Sequence, residues 1–193
     1  EFHAQTAVEA AVALHPEVLP RLQEVDKVVL TTHESAIRII SKTGALNNPA
    51  DRDHCLQYMV AVGLLKGDLV AADYEDGVAA DSRLDRIRES MVVEEDVRFS
   101  EEYHQPEKRS IANAVQVFFR DGSATEKVTV EYPLGHRRRR PEGIPLLEDK
   151  FRRNLSARFP VPRANEIETL CMDQDALEST PVDEFMDLLV VPN

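Results

Sequence analysis

Residues 47–66 read Asn-Asn-Pro-Ala-Asp-Arg-Asp-His-Cys-Leu-Gln-Tyr-Met-Val-Ala-Val-Gly-Leu-Leu-Lys and are the most informative segment of the chain. The opening of this segment carries helix-start signals: Asn48 suits the N-cap, Pro49 the first helical position, and Asp51 the acid of a capping box. The second half contains no charge before its final lysine. Since a helix that is apolar nearly all round is buried, we predict a buried helix over residues 48–65. Its polar opening must then face a cleft or another polar surface.

His54 and Tyr58 lie at the polar opening of this predicted helix, four residues apart. On a continuous helix, that spacing places two side chains on the same face, one above the other. An imidazole and a phenol can both exchange or share protons. The segment therefore predicts two proton-handling groups side by side at the mouth of a buried helix.

The composition limits what kind of protein this can be. The chain has 193 residues, 42% of them hydrophobic, which suits one domain or one domain with an appended helical segment. Its net charge of −12 predicts neither a nucleic-acid partner nor attraction to anionic membranes. The longest apolar stretch, residues 59–65, is too short to span a bilayer. The one basic block, residues 137–140, is local rather than a stripe.

The cysteines and the first residue give two further expectations. Cys55 and Cys171 fall in apolar helical settings, so we interpret them as reduced core thiols of an intracellular protein. Neither has a partner at metal-ligand spacing, and no motif of the chain supports a metal or another cofactor. The chain begins at Glu1, without methionine, inside a predicted helix entry. We therefore expect it to be a segment of a longer protein.

The apolar patterns predict the fold class. Alternation predicts strands over residues 26–31, 91–93, 112–119 and 123–132, the last two joined at Asp121-Gly122 as a hairpin. Helical patterns cover residues 2–14, 17–23, 34–41, 48–65, 71–79, 82–89 and 145–159, with further short helices over 163–191. We predict an α+β fold with a small antiparallel sheet, helices on one of its faces, and C-terminal helices after it.

Four segments together resemble a known family. They are Glu-Phe-His-Ala-Gln-Thr-Ala-Val-Glu-Ala-Ala (1–11), the opening of the helix described above (47–58), Tyr-His-Gln-Pro-Glu-Lys-Arg-Ser-Ile-Ala-Asn (103–113) and Glu-Tyr-Pro-Leu-Gly-His-Arg-Arg-Arg-Arg-Pro-Glu-Gly-Ile-Pro (131–145). In this order they resemble the MmgE/PrpD family, over essentially all 193 residues. The resemblance is to the C-terminal part of such enzymes and does not include their large helical N-terminal domain.

The resemblance implies a fold and an activity. Residues 1–145 would form the small lid domain, and residues 146–193 would pack with apolar side chains on the missing helical domain. The activity would be that of a metal-independent hydro-lyase, without cofactor, dehydrating 2-methylcitrate to 2-methyl-cis-aconitate in the methylcitrate cycle of propionate catabolism. A homodimer is also implied. Bacterial members of the family are cytoplasmic and fungal ones lie in the mitochondrial matrix.

Dehydration of a tricarboxylate needs a base, an acid for the leaving hydroxyl, and cationic donors for the carboxylates. The resemblance places Tyr58 at the active site, where we predict it as acid or hydrogen-bond donor with His54 orienting it. A buried tyrosine satisfied by a backbone carbonyl, and a capping histidine, are the alternatives. The principal base is expected on the absent domain. The predicted substrate-binding residues are His3, Arg52, Lys42, Asn48 and Arg137. The alternatives are a salt bridge at the helix start for Arg52 and a structural role at a helix start for His3.

Other interpretations stay open. Within the family, a related enzyme acting on a polycarboxylate, of the cis-aconitate decarboxylase or epimerase type, would carry the same segments. The chain could also be a non-catalytic α+β module for binding or dimerisation, although such a module has no need of the polar helix opening. Lys108 and Arg109 are interpreted as ion-pair partners of Glu101, Glu102 or Glu107.

Overall fold

The computed structural model describes residues 1–191, which divide into two compact units. The first unit comprises Glu1–Pro133 and the second begins at Leu134. The first contains the sheet of the fold and seven of the helices described below, and the second is helical. The predicted boundary after residue 145 falls inside a helix of the second unit, Arg140–Arg158.

A four-stranded sheet forms one layer of the first unit. Its strands, numbered along the chain, are β1 (Val25–Thr32), β2 (Met91–Glu95), β3 (Asn113–Phe119) and β4 (Val128–Val130), in the order β2-β1-β3-β4. The α+β class is confirmed, but the sheet is mixed rather than wholly antiparallel. β1 pairs with β2 in parallel and with β3 antiparallel, and β3 pairs antiparallel with β4. The physical reason is that a long, mostly helical connection joins β1 to β2. It brings the chain back to the edge of the sheet where β1 begins, so β2 runs in the same direction as β1.

Burial across the sheet shows that one face carries the core. The cross-strand pairs Val28–Val117 and Leu30–Val115 are fully buried. The pair between them, Val29 and Gln116, points to the opposite face and is half-buried. The main core and most of the helices therefore lie on this face, as predicted, since successive residues of a strand point to opposite sides. On the other face, Phe99 packs against Ala114 of β3.

The predicted hairpin is present, with a shorter second strand. Gly122 adopts φ 85°, the left-handed conformation that glycine tolerates in a turn. Beyond it, the Thr125 N–H donates to the Val117 carbonyl at 2.9 Å, but the Val117 N–H donates to the Thr125 hydroxyl at 3.1 Å instead of to a backbone carbonyl. Because a side chain takes that backbone donor, regular pairing resumes only at Val128.

The helices of the first unit pack between and around these strands. They are α1 (Gln5–Val18), α2 (Glu34–Ile40), α3 (Pro49–Asp53), α4 (Leu56–Lys66), α5 (Asp76–Ala79), α6 (Ser82–Glu89) and α7 (Val97–His104), with 3₁₀ turns at Leu19–Glu24 and Ala71–Tyr74. α1 packs across β3 and β4 and also against α4, while α6 packs on β1 and α4. α7, which the sequence patterns did not indicate, begins after Asp96, whose side chain accepts a hydrogen bond from the Arg98 N–H.

The informative segment 47–66 forms two helices rather than one. Asn48 is the N-cap of α3, and its side chain accepts a hydrogen bond from the Asp51 N–H at 2.9 Å, as predicted. The helix then ends at His54, and Cys55 is extended (φ −126°, ψ 104°) before α4 begins. The burial of α4 is confirmed, because every residue from Leu56 to Leu65 is buried. The predicted continuity across residues 48–65 is wrong.

In its described part, residues 134–191, the second unit contains a 3₁₀ turn and four helices. The turn is Arg137–Arg139, and the helices are α8 (Arg140–Arg158), α9 (Val161–Met172), α10 (Gln174–Ser179) and α11 (Val182–Leu188). Leu155, Ala164 and Ile167 form its small buried core. Large apolar side chains remain exposed on this unit, among them Ile144, Leu146, Leu147, Val161, Val182 and Met186.

Candidate functional site

A polar cluster surrounds His3, at the start of α1. The imidazole Nδ1 lies 2.5 Å from a carboxylate oxygen of Glu1, and Nε2 lies 3.3 Å from the Tyr103 hydroxyl on α7. Because a carboxylate only accepts, Nδ1 carries the proton of the neutral ring and Nε2 presents a lone pair to the phenol. Glu1, His3 and Tyr103 thus form a hydrogen-bonded series in which a carboxylate orients an imidazole.

Two opposing effects act on the Glu1 carboxyl of this cluster. Burial, the largest single effect, raises its pKa, but hydrogen bonds from the His3 backbone N–H and ring, the charge of His3 and that of the terminal ammonium of Glu1 together lower it by more, so the net pKa lies below the ordinary value. The group is therefore a carboxylate at neutral pH. Its second oxygen lies 3.6 Å from Nε2 of His54, so the same carboxylate faces two histidines.

His54 belongs to this cluster and not beside Tyr58. Its Nδ1 lies 3.1 Å from an Asp53 carboxylate oxygen, and its side chain is 50% exposed. The prediction that His54 orients Tyr58 assumed one continuous helix. Because the helix is broken between the two residues, their side chains take different polar partners.

His33 lies beneath the cluster, immediately after β1. Its ring stacks on Tyr103 with centroids 4.7 Å apart and 10° between the planes. Nδ1 accepts a hydrogen bond from the Ala36 N–H and so caps α2. The proton then resides on Nε2, which is buried without a hydrogen-bond partner among residues 1–191. Burial, followed by the charges of His3 and His104, lowers the pKa of His33 to about 4, so the ring is a neutral donor.

The sequence patterns did not single out His33 and Tyr103 as site residues. A signal was nonetheless present, because His33 lies two residues after the end of a predicted strand at Thr31, and side chains at strand ends often contribute to sites. Tyr103 lies in the third family-like segment. Its helix α7 was not predicted, so its proximity to His33 could not be expected.

Tyr58 is 3% exposed on α4. Its hydroxyl donates to the Asp73 carbonyl at 2.6 Å, which is the hydrogen bond foreseen in the alternative interpretation. Burial raises the pKa of Tyr58, Asp73 and Asp85 add to the rise, and the Arg52 and Arg88 charges oppose it. The net pKa is raised, so the side chain is a neutral phenol at physiological pH.

Tyr58 also lines a cleft of about 320 Å³ in the first unit. Arg52 borders the same cleft, with Nη1 donating to the Tyr74 carbonyl at 2.6 Å and Nη2 paired with Asp76 at 2.7 Å. Other residues around the cleft include Leu46, Ala79, Asp85 and Arg88. Arg52 and Tyr58, predicted from one segment, are therefore brought to a single cavity.

Of the remaining predicted ligands, Lys42 and Asn48 have other partners, and Arg137 belongs to the second unit. Lys42 Nζ lies 4.0 Å from Asp51, and the Asn48 side chain is used in the cap of α3. Arg137 is exposed in the second unit. The roles assigned to these three residues stay predictions.

Ion pairs account for part of the remaining charge. Lys108 Nζ pairs with Glu102 at 2.5 Å, one of the partners predicted for it. Arg139, in the basic block, donates from Nε and Nη2 to both oxygens of Glu142.

Both cysteines are free, as expected of reduced thiols. In the described part of the chain, three or more His, Cys, Asp or Glu side chains are nowhere grouped as a metal site would require. Across residues 1–191, every helix is too short or too polar to cross a membrane.

Together these features define a small α+β unit with a carboxylate–imidazole–phenol series and an arginine-lined cleft. The imidazole and the phenol are groups that can transfer or share protons, and arginines can bind a small anion. Comparison with protein families gives the next step. The MmgE/PrpD C-terminal domain matches residues 1–174, and the chain belongs to the MmgE/PrpD family.

Individual relatives agree with this assignment. The chain is 53% identical to the 2-methylcitrate dehydratase of Escherichia coli K12, over 99% of the chain and 40% of that protein. It is 52% identical to the 2-methylcitrate dehydratase of Cupriavidus necator, with the same coverage. Against the mitochondrial 2-methylcitrate dehydratase of Yarrowia lipolytica it is 47% identical, over 98% of the chain and 37% of the relative. The chain thus spans about 40% of the length of these relatives.

Proposed function

We propose that this chain supplies part of the active site of a hydro-lyase that dehydrates 2-methylcitrate to 2-methyl-cis-aconitate. The observation that carries the proposal is the series Glu1–His3–Tyr103, in which an ionised carboxylate holds an imidazole against a phenol. The names of the relatives support the substrate, since three of them are 2-methylcitrate dehydratases. The reaction itself belongs to the full-length protein.

The chemistry of the series fits an elimination. A base takes the proton next to a substrate carboxylate, the C–H electron pair forms the double bond, and the C–O bond breaks. An acid delivers a proton to the departing hydroxyl, which leaves as water. His3, oriented by Glu1, can hold the proton at Nε2 and pass it on. When the ring is neutral, the Tyr103 hydroxyl donates a hydrogen bond to the lone pair on Nε2.

Tyr58 and His54 keep proposed roles that the geometry modifies. The Tyr58 phenol would have to leave the Asp73 carbonyl to protonate a leaving group, so we propose it as a neutral hydrogen-bond donor at the cleft. His54, exposed beside Glu1, is proposed to contact the substrate directly. Arg52 is proposed to bind a carboxylate, with the principal base on the part of the protein outside this chain.

The proposal extends to partners and location. We propose that the apolar side chains exposed on the second unit pack on the large helical domain of the same protein, and that the protein is a homodimer. A cytoplasmic location is proposed for a bacterial source and the mitochondrial matrix for a fungal one. On this view the isolated chain has no dehydratase activity, because the base and part of the substrate pocket are missing.

The test is an assay of the full-length protein, with a chelator present, following 2-methylcitrate dehydration by the absorbance of the unsaturated product. His3→Gln should lower kcat by about 10²–10⁴-fold, the range for loss of an acid–base group. Tyr58→Phe should lower it by about tenfold or less, since an ordinary hydrogen bond from a neutral donor contributes about 0.5–1.5 kcal/mol. His104→Gln, an exposed histidine next to Tyr103, is the matched control and should retain activity.

Two results would count against the proposal. Near wild-type activity in His3→Gln would remove the carboxylate–imidazole series from the reaction. A loss of several orders of magnitude in Tyr58→Phe alone would restore the phenol as the principal acid. Profiling with cis-aconitate and related polycarboxylates separates the dehydratase from a decarboxylase or epimerase. Absence of turnover on all of them would favour a non-catalytic module.

A further inference from the structure

The backbone of His3 is fastened to the sheet by one buried side chain, that of Asn113. Asn113 is the first residue of β3 and is fully buried. Its amide nitrogen donates to the His3 carbonyl at 2.9 Å and to the Thr6 hydroxyl at 2.7 Å. The Thr6 hydroxyl in turn donates to the Ile111 carbonyl at 2.5 Å. The start of α1 is therefore tied to the start of β3 by a series of buried hydrogen bonds.

These contacts also fix which way the Asn113 amide points. The carbonyl oxygens of His3 and Ile111 can only accept hydrogen bonds, so the amide nitrogen and not its oxygen faces them. The N-cap of α1 is Ala4, whose methyl group cannot cap a helix. The backbone of His3 is thus held by a residue that lies 110 positions further along the chain.

The same end of β3 also contacts α7. Ala112 and Ala114, on either side of Asn113, form a buried cluster with Phe99 of α7. Since successive residues of a strand point to opposite faces, Asn113 faces α1 while its two neighbours face α7. Tyr103 follows Phe99 by four residues, on the same side of α7. The start of β3 therefore holds both of the helices that bring the imidazole and the phenol together.

The contact between His3 and Tyr103 is sensitive to small shifts. Nε2 of His3 lies 3.3 Å from the Tyr103 hydroxyl, at the long end of the range for a hydrogen bond. A further separation of about 0.3 Å would break it. The contacts of His3 with Glu1 lie within one short segment and would move together with it. The contact with Tyr103 is thus the one that depends on the anchor from β3.

We propose that Asn113 is a positioning residue, which acts through the His3 backbone to keep the imidazole against the Tyr103 hydroxyl. Thr6 supports this role, because its hydroxyl links the Asn113 amide to the Ile111 carbonyl. The inference rests on the proposed function, since it takes His3 as an acid–base group of the dehydration. Asn113 itself is fully buried and acts without touching the substrate.

The first test is kinetic and uses the full-length protein with 2-methylcitrate. Asn113→Leu keeps the approximate size of the side chain but removes its donor. It should lower kcat by about 10–100-fold, because a misplacement of about 1 Å can cost about 10²-fold in rate. Thr6→Val removes the supporting hydroxyl and should lower kcat severalfold, whereas Thr6→Ser retains a hydroxyl and should behave as the wild type.

Thr125→Val is the matched control for Thr6→Val. Its hydroxyl is also buried and also bonded to the backbone, accepting from the Val117 N–H of β3 and donating to the Glu126 carbonyl. The chemical change is the same, but it lies away from His3, further along the strand. Thr125→Val should therefore leave kcat unchanged.

The second test needs no turnover. In nitrogen NMR spectra of the full-length protein labelled at histidine, Tyr103→Phe removes the hydrogen bond to Nε2 of His3 and so shifts the resonance of that nitrogen. Asn113→Leu should shift the same resonance in the same direction, and Thr125→Val should leave it in place. A side chain that only stabilised the fold would lower the unfolding temperature without moving this resonance.

Two kinetic results would overturn the proposal: wild-type kcat in Asn113→Leu, or equal losses of kcat in Thr6→Val and Thr125→Val. If Asn113→Leu does not fold, the comparison of the two threonine variants decides. If the wild type does not dehydrate 2-methylcitrate, the proposed function fails and the His3 resonance alone decides the positioning. A shift in Asn113→Leu, or in Thr6→Val where the former does not fold, would support it, and an unshifted resonance would refute it.

Discussion

Acid should destabilise the first unit through His33, the buried histidine that caps α2. The ring is fully buried against Tyr103, and its pKa is lowered from 6.5 to about 4. Above pH 6.5 the ring is neutral in both the folded and the unfolded chain. As the pH falls from there toward 4, the unfolded chain binds a proton that the folded chain does not, so the free energy of unfolding decreases.

The size of the effect follows from the difference between the two pKa values. Each pKa unit corresponds to about 1.4 kcal/mol, so the complete loss, reached below pH 4, is about 3 kcal/mol. Between about pH 7.5 and about pH 4.5 the expected loss from this one group is about 2.5 kcal/mol. That is a large fraction of the stability of a typical domain.

The variant His33→Asn isolates this contribution. Asparagine retains an N-cap acceptor for α2 but does not titrate. Native-state hydrogen exchange of amides in β1 and β3 would give the free energy of unfolding of this unit in the full-length protein at both pH values. The wild type should lose about 2.5 kcal/mol more than the variant between them. His54→Asn, at a half-exposed histidine, is the control and should behave as the wild type. An equal pH dependence in wild type and His33→Asn would refute the reasoning.

Two further predictions concern glycines at close contacts. A Cβ on Gly63 would lie 2.9 Å from that of Ala11 across the α1–α4 contact, so Gly63→Ala should destabilise the first unit by about 1–2 kcal/mol despite its better helix propensity. The control Gly77→Ala, at a glycine with open space around it, should be neutral or stabilising by up to about 1 kcal/mol. Hydrogen exchange of α4 amides measures the stability of both variants, and equal effects of the two substitutions would contradict the packing argument. A Cβ on Gly143 would overlap the Leu134 carbonyl oxygen, so Gly143→Ala should cost about 2 kcal/mol or more, measured by exchange in α8. Wild-type protection in α8 would show that the loop shifts freely.

The parts of the fold that the sequence predicts well are those decided by local patterns. The helix Ser82–Glu89 was predicted with its observed bounds, since Asp81 caps it and its apolar residues recur at helical spacing. The burial of α4 follows from its lack of charge, and the Asn48 cap from its residue type. These features depend on neighbours within a few residues, which sequence patterns record.

The break between α3 and α4 depends instead on distant groups. Nothing between Asp53 and Leu56 is a glycine or proline, so no local signal stops the helix there. The break lets Arg52 turn inward to the Tyr74 carbonyl while His54 turns outward to Glu1. Both partners lie far away in sequence, so no local pattern records these contacts. The prediction that His54 and Tyr58 lie on one face of a continuous helix is wrong for this reason.

The parallel pairing of β1 with β2 explains why the candidate site exists where it does. Parallel strands end at the same edge of a sheet, so His33 after β1 and α7 after β2 emerge side by side. The Asp96 N–H donates to the Thr32 carbonyl at 2.9 Å, which joins the two strand ends. Tyr103 is then placed on His33 and within reach of His3. A wholly antiparallel sheet would have sent these segments to opposite edges, and the carboxylate–imidazole–phenol series could not have formed. The unpredicted parallel pairing is thus, together with the unpredicted helix α7, the reason that His33 and Tyr103 were missed.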